Sequence, residues 1–363
     1  MQVIIVKSIK EKLKYIKFRK EIYKKNAVFV DDNMMMIKQL FYSRTRFSNK
    51  KKIFPMYVLG DDNEIKCQCI AIYTKELPDY IQMSFFEGLD NEPDAVQLLI
   101  KEVSSIGKKY SAQKLVVGLA GHVNYGLGML ANKFDSKNSF GMGANPEYYN
   151  DYFKNLDFEE VFLNTYLWSS TDSQRKMERF SPLIDRVDEN YEYKFFDKEN
   201  FDYFSKIYTD LNNECFKDHR YYYSRNYEED KEMLKELLTF IHPESLIFAF
   251  KDNKPAGFIM WYLDLNELVS PGKSFGTITY LKSLFLYKKI KKAKIIEMGV
   301  VEEHRSSGLI LGLIKQACIK IRDLGISGGE SSWVLEENKD SNSICKAFCN
   351  GLYKKYVVYE KNI

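Results

Sequence analysis

The stretch Ile295-Ile-Glu-Met-Gly-Val-Val-Glu-Glu-His-Arg-Ser-Ser-Gly-Leu-Ile310 joins an apolar strand, expected over 294–301, to an apolar helix over 308–323. The turn between them holds Arg305 and Gly308. The first N–H groups of a helix have no partner inside it, and the helix dipole adds positive potential there. Glycine at that point lets backbone approach a ligand closely, so the arrangement suits a phosphate group. Strand, turn and helix with one glycine is also a common structural connection, and the surroundings must decide.

Outward from this turn the chain reads as two copies of one pattern. In the first, a strand over 3–6 leads to a helix over 10–25, in which Leu13, Ile16, Ile22 and Tyr23 interrupt many Lys and Arg. Those charges read as a solvated face, with a patch for phosphates or acidic lipid as the alternative. Strands over 53–59 and 64–73 flank Gly60-Asp-Asp-Asn63, a hairpin signal. A strand over 80–87, a helix opened by Pro93, a strand over 114–119, a helix over 147–156 and a strand over 161–168 follow. The second copy has a strand at 191–196, helices at 200–212 and 228–240, and a hairpin around Asp252-Asn-Lys-Pro255. It continues with strands at 294–301 and 329–334, a helix at 341–349 and a closing strand at 355–359. Asn145 and Asn338 stand before corresponding helices. The reading is a first domain over 1–170, a polar linker over 171–188 broken by Pro182, and a second domain over 189–363.

Length and composition agree. The 363 residues allow two domains, and 45% hydrophobic with 29% charged residues excludes wholesale disorder. A net charge of +4 gives no reason to propose nucleic acid. No apolar run approaches the roughly 18–20 residues of a membrane span, and the basic start has no cleavage-site pattern. Cys67, Cys69, Cys215, Cys318, Cys345 and Cys349 form no CxxC pair and read as reduced thiols of a cytoplasmic protein. Cys345 and Cys349 are four apart on a helix, but with no further ligand close in sequence they read as small apolar residues, and no metal is expected.

Val300-x4-Arg305-Ser-Ser-Gly308 resembles the acyl-CoA pyrophosphate loop of the GNAT (N-acetyltransferase) superfamily, where a strand ends in V-x4-(Q/R)-x-x-G-x-(G/A). Glu330-Ser-Ser-Trp-Val-Leu-Glu336-x-Asn338 and Gly351-Leu-Tyr-Lys-Lys-Tyr-Val-Val-Tyr359 are similar to the end of a bacterial tandem-GNAT group. The first half shows that group's Asn145-Pro-Glu-Tyr-Tyr149 and Leu156-x-Phe158. The resemblance implies an α+β chain of two tandem GNAT-like domains, each a twisted, mostly antiparallel sheet flanked by helices. It implies that the backbone of Met298 and Val300 binds the pantetheine arm. Arg305, Ser306, Ser307, Gly308, Leu309 and Ile310 would offer N–H groups to the pyrophosphate, and Asn338 would meet the cofactor near its thiol. Ile310 replaces the usual Gly or Ala, and Ala347 replaces a Tyr that often protonates the leaving thiolate. The first half has Gly88-Leu-Asp-Asn-Glu-Pro93 at the equivalent turn, with Asp90, Glu92 and Asp94 to repel a pyrophosphate. Cofactor binding is therefore expected in the second half only.

Acyl transfer to an amine needs a proton acceptor near the nitrogen. Glu297, on the strand before the loop, and Glu330, on its neighbour, are the candidates, each with a solvated or salt-bridged strand residue as the other reading. His304 in the loop reads as exposed, Trp333 as core, and the run 219–227 as a shaper of the acceptor site or a packed loop. The expected activity is acyl transfer from acetyl-CoA, or another acyl-CoA, to the amine of a small molecule. A longer acyl chain moved to a lipid-like amine, or a non-catalytic acyl-CoA-binding protein, are the alternatives.

Overall fold

The computed structural model describes residues 1–42, 45–237 and 242–363. The chain divides into two compact units. One comprises Met1–Leu163, Val269–Phe275 and Lys354–Ile363; the other comprises Asn164–Leu268 and Gly276–Tyr353.

The strands in chain order are β1 (Gln2–Ile5), β2 (Lys52–Leu59), β3 (Ile65–Tyr73), β4 (Tyr80–Gly88), β5 (Lys114–Val117), β6 (Met129–Leu130) and β7 (Glu159–Ser169). Then come β8 (Glu192–Phe195), β9 (Leu246–Lys251), β10 (Lys254–Leu263), β11 (Lys292–Val300), β12 (Gly328–Ser331), β13 (Val334–Leu335) and β14 (Gly351–Asn362). The strand order in the first unit is β1-β2-β3-β4-β5-β14, and in the second β8-β9-β10-β11-β12-β7. Pairing is antiparallel except between β4 and β5 and between β11 and β12. Both parallel pairs are short and then part. β4 and β5 stay together to Met83 and Val117, and β11 and β12 to Ile295 and Ser331.

A bulge lies at each parting. Cys69 of β3 faces both Phe85 and Phe86 of β4, and Phe85 takes a φ of +52°. In the second unit Ile296 is the extra residue, between Glu297, which faces Met260, and Ile295, which faces Trp261. An inserted residue bends its strand and re-aims the side chains beyond it. Each sheet thus opens as a fork along its fourth strand.

Local sequence explains the flanking helices. Ser8 and Glu11 form a capping box for Ile9–Tyr23. Pro93 starts Pro93–Lys109, whose Ala95, Val96, Leu99, Val103 and Ile106 are buried in the core of the first unit. Gly308 takes a left-handed φ of +79° and turns the chain into Leu309–Asp323, which buries Leu309, Leu313, Ala317 and Ile321. The hairpin at Asp252 and Asn253 has both residues at positive φ, matching the twist of β9 and β10.

Several expectations change. The first helix keeps Lys10, Lys17, Lys20, Lys24 and Lys25 in solvent, as expected, but not Arg19. It buries Tyr15, Arg19 and Tyr23, one turn apart, and leaves Leu13 exposed. Arg19 turns inward because Asp31 and Glu87 wait there. The segment expected as a linker forms helices Ser170–Glu178 and Ser181–Asp188 instead. Pro182 stands in the first turn of the second of these, where its missing N–H is no loss. The helix expected over 228–240 runs Tyr227–Leu237, and 238–240 lie outside the described residues. A helix over Thr277–Leu286 was not foreseen. The closing strand, expected in the second domain, gives residues 354–362 to the first unit, and β7 gives residues 164–169 to the second.

The repeat is written in a side-chain pair rather than in Asn145 and Asn338. In the first unit Tyr359 donates to Asn150 at 2.9 Å, and Asn150 donates to the carbonyl of Leu130 at 3.0 Å. In the second, Tyr166 donates to Asn342 at 2.7 Å, and Asn342 donates to the carbonyl of Leu335 at 2.8 Å. Asn145 by contrast takes the N–H of Leu130, whereas Asn338 caps the helix Lys339–Phe348 through the N–H of Ser341.

Candidate active site

The second fork carries Glu297 on β11. Beyond the bulge its half-buried side chain turns toward the helix Phe201–Phe216. Tyr208 donates to its Oε2 at 3.0 Å, and the amide of Asn212 donates to the same oxygen. Tyr208 and Asn212 are four apart and share one helix face. Asn212 also takes the hydroxyl of Tyr222 at 3.0 Å. Arg225 is buried behind them and paired with buried Asp230 at 2.9 Å. Loss of solvent pushes the pKa of Glu297 up, with Arg225, Tyr208 and Asn212 pulling the other way. The carboxyl holds its proton more tightly than an ordinary glutamate, and Tyr208 and Asn212 bond it as neutral donors.

The loop after β11 is a 3-10 turn, Glu302–Ser307. Arg305 and Ser306 are exposed, and Ser307, Gly308 and Ile310 are half-buried. Arg305 reaches back to the carbonyl of Val300 at 3.5 Å. Ser307 donates to the carbonyl of His304 and accepts the N–H of Leu309. Gly308 brings no capping side chain, so the first turn of the helix keeps its electropositive end. Glu302 and Glu303 share this loop and temper its charge. A side chain at Gly308 would be strained by its φ and would lie 3.4 Å from Val187. At Gly299 it would lie 2.7 Å from Cys215, so the helix Phe201–Phe216 closes directly on β11. Met298 and Val300 face Ile259 and Gly257 of β10.

Glu330 sits elsewhere. It is buried on β12 where the fork is still closed, opposite Lys294, and accepts the hydroxyl of Thr165 at 2.6 Å. His304 is half-buried against Tyr191, 3.2 Å from its hydroxyl, rather than exposed. Trp333 lies half-buried with the ammonium of Lys294 4.7 Å from its ring. Ala347 is exposed on its helix. In the run 219–227, Tyr221, Tyr222, Tyr223 and Arg225 are buried. His219 is driven down to about 4 by burial and is neutral at pH 7. Tyr208, Asn212 and Arg225 were missed as partners of Glu297. A polar Asn212 on the apolar face of Phe204, Ile207 and Leu211 was the available signal.

The first fork is also a cleft, of about 90 Å³, lined by Met83, Phe85, Glu87, Gly118, Gly128 and Arg19 among others. Here Glu87 is clamped by Arg19 and takes the hydroxyl of Tyr149 at 2.8 Å. Arg19 also holds Asp31 through two hydrogen bonds of 3.1 and 3.0 Å.

No protein-family model matches the chain. A tandem GNAT protein from the clavulanic acid biosynthesis pathway superposes with a TM-score of 0.57, over 99% of this chain and 98% of that one, at 11% identity. The chain has the tandem GNAT fold. A probable N-acyltransferase from Enterococcus faecalis also superposes, with a TM-score of 0.53 at 9% identity, over 100% of this chain and 73% of that one. In sequence, the chain is 28% identical to the bacterial ceramide synthase of Caulobacter vibrioides over 173 residues, 46% of this chain and 45% of that protein. It thus spans less than half the length of that relative. It is 22% identical to the protein YghO of Escherichia coli over 285 residues, 75% of this chain and 72% of that one.

Proposed function

We propose that the protein is an acyl-CoA-dependent N-acyltransferase, with acetyl-CoA as the simplest donor and a small-molecule amine as acceptor. The observation that carries this reading is Glu297: a carboxylate on the opened strand, raised in proton affinity and hydrogen-bonded by Tyr208 and Asn212. The backbone of Met298 and Val300 would hold the pantetheine arm. The N–H groups from Arg305 to Ile310 would meet the pyrophosphate at a helix end that suits an anion. The acyl-CoA thioester supplies the acyl group. Glu297 takes the proton of the attacking amine, directly or through a water, as the C–N bond forms and the C–S bond breaks. Tyr208 and Asn212 fix the carboxylate so that one oxygen stays aimed. A free thiol has a pKa of about 8.5, so the thiolate leaves without the tyrosine that Ala347 replaces. Glu330 is the second candidate base, and the closed fork around it argues for Glu297. Asn338 has its side-chain oxygen on the helix cap and would meet the cofactor through its amide.

A second reading moves a longer acyl chain to a lipid-like amine, and the similarity to a ceramide synthase favours it. The test is thiol release from acetyl- and palmitoyl-CoA against amines ranging from small polar ones to long-chain amino alcohols. Calorimetry with CoA accompanies it. Turnover with one CoA bound per chain supports an acyltransferase, and the donor that turns over separates the two readings. CoA binding without any turnover points to a binding protein, and no CoA binding overturns the proposal.

A further inference from the structure

The helix Thr277–Leu286 is inverted for a surface helix. It buries Thr279 and Ser283 and exposes Leu281 (51%), Leu284 (49%) and Phe285 (81%). Positions 281, 284, 285 and 288 fall on one helical stripe, so the three large apolar side chains form a continuous ridge ending at Lys288. Amphipathic surface helices place such residues inward. Tyr287, next along the chain, is exposed as well. Along the chain near the ridge the charge has one sign. Lys282, Lys288, Lys289, Lys291 and Lys292 are all exposed, and no Asp or Glu occurs between Glu267 and Glu297. Glu267 itself accepts the backbone N–H groups of Lys291 and Lys292.

We propose that this helix and the lysines after it dock on an anionic membrane surface. The apolar ridge enters the boundary between headgroups and acyl chains, and the lysines meet lipid phosphates. Among the described residues no helix is long and apolar enough to cross a membrane, so attachment here is to the face of a bilayer. A protein partner would cover the ridge equally well. The cluster of exposed lysines, with no acidic residue among them in the chain, favours a surface of diffuse negative charge over a shaped interface. Docking is independent of acyl transfer and is read without it.

The experiment is co-sedimentation of the full chain with phosphatidylglycerol–phosphatidylcholine vesicles and with pure phosphatidylcholine vesicles. Binding is expected only to the anionic vesicles, falling as salt rises from 50 to 500 mM, since screening weakens surface charge attraction. The triple variant Leu281→Ser, Leu284→Ser, Phe285→Ser and the double variant Lys288→Glu, Lys289→Glu should each lower partitioning by at least about tenfold. The replaced side chains are exposed, so thermal melts should match the parent and separate lost docking from lost folding. Absent or charge-independent vesicle binding overturns the proposal, as does binding that both variants retain. A parent chain that is dimeric by light scattering, with a monomeric serine variant, assigns the ridge to a second copy and overturns it too.

Discussion

In the first unit the carboxylate on the fork strand, Glu87, is met by the guanidinium of Arg19. In the second, Glu297 is met by the hydroxyl of Tyr208 and the amide of Asn212. All three holding groups come from one helix of their unit, Ile9–Tyr23 in the first and Phe201–Phe216 in the second. The forks, their bulges and their tyrosine–asparagine pairs correspond, and what differs is that a guanidinium bonds Glu87, while a hydroxyl and an amide bond Glu297 and the nearby Arg225 is paired with Asp230. A guanidinium beside a carboxylate stabilises the ionised form and makes it a poor proton acceptor. Neutral donors fix a carboxylate in place without cancelling its charge. The turns following the forks differ in the same sense. Asp90, Glu92 and Asp94 surround the first, and Arg305 and Gly308 stand in the second, although Glu302 and Glu303 narrow that contrast. A duplicated frame thus holds one fork locked by an ion cluster and one with a carboxylate able to take a proton.

The sharpest break of this comparison is Glu297→Gln against Glu87→Gln. Removing a general base costs roughly 10²–10⁴-fold in rate. Glu297→Gln should lose that much in kcat/KM, measured by thiol release, with CoA affinity little changed. Glu87→Gln should keep the turnover of whatever protein folds. Equal losses in the two variants would erase the distinction between the forks. If Glu330→Gln alone loses rate, the base is on β12.

Stability gives the next largest contrast. Arg19→Met leaves Asp31 and Glu87 buried without their cation, and such a break costs about 3–5 kcal/mol. Urea unfolding should show a fall of that order. Tyr208→Phe removes one donor to Glu297 and should cost about 1–3 kcal/mol. A larger effect in the second fork than in the first would reverse the assignment of the locked site.

Gly308→Val forces a β-branched residue to a φ of +79° beside Val187. Strain of this kind is about 1–3 kcal/mol. CoA binding by calorimetry should weaken by about 5- to 150-fold. Unchanged affinity would move the pyrophosphate off this turn, and a stoichiometry near two would bring the first fork into play.

The smallest effect is a pH dependence. The pKa of Glu297 is raised from 4.5, so it accepts a proton from substrate only above its own elevated value. The profile of kcat/KM should rise with pH through a midpoint above 4.5, and Glu297→Gln should remove that limb. The linkage sign follows. A carboxyl raised on folding contributes stability where it is protonated and loses it as pH rises through the folded value. The Gln variant should therefore be no less stable than the parent at pH 7.

Much of the frame was legible from local signals. Periodicity and turn residues placed both hairpins and the helix opened by Pro93, and the order of elements appeared twice. Where local reading failed, a distant partner had changed the meaning of a residue. Arg19 looks like one more charge in a lysine-rich helix until Asp31 and Glu87 are brought to it. Pro182 reads as a breaker when it is a helix starter, and the spacing of Ser173, Met177, Ile184 and Val187 on the buried side carried the helical signal. Thr277–Leu286 escaped because its apolar residues face outward, so its pattern matched no core.

By itself the sequence determined the duplicated order of elements and the glycine-containing turn that starts the helix Leu309–Asp323. These depend on neighbours within a few residues, where backbone sterics and periodic burial act. The tertiary structure alone decided which unit receives each end of β7 and β14. It also decided that Glu297 meets Tyr208 and Asn212, 89 and 85 residues away, and that Glu87 meets Arg19. Charge state and proton affinity are set by what lies within a few ångströms in space, and no spacing along the chain encodes that.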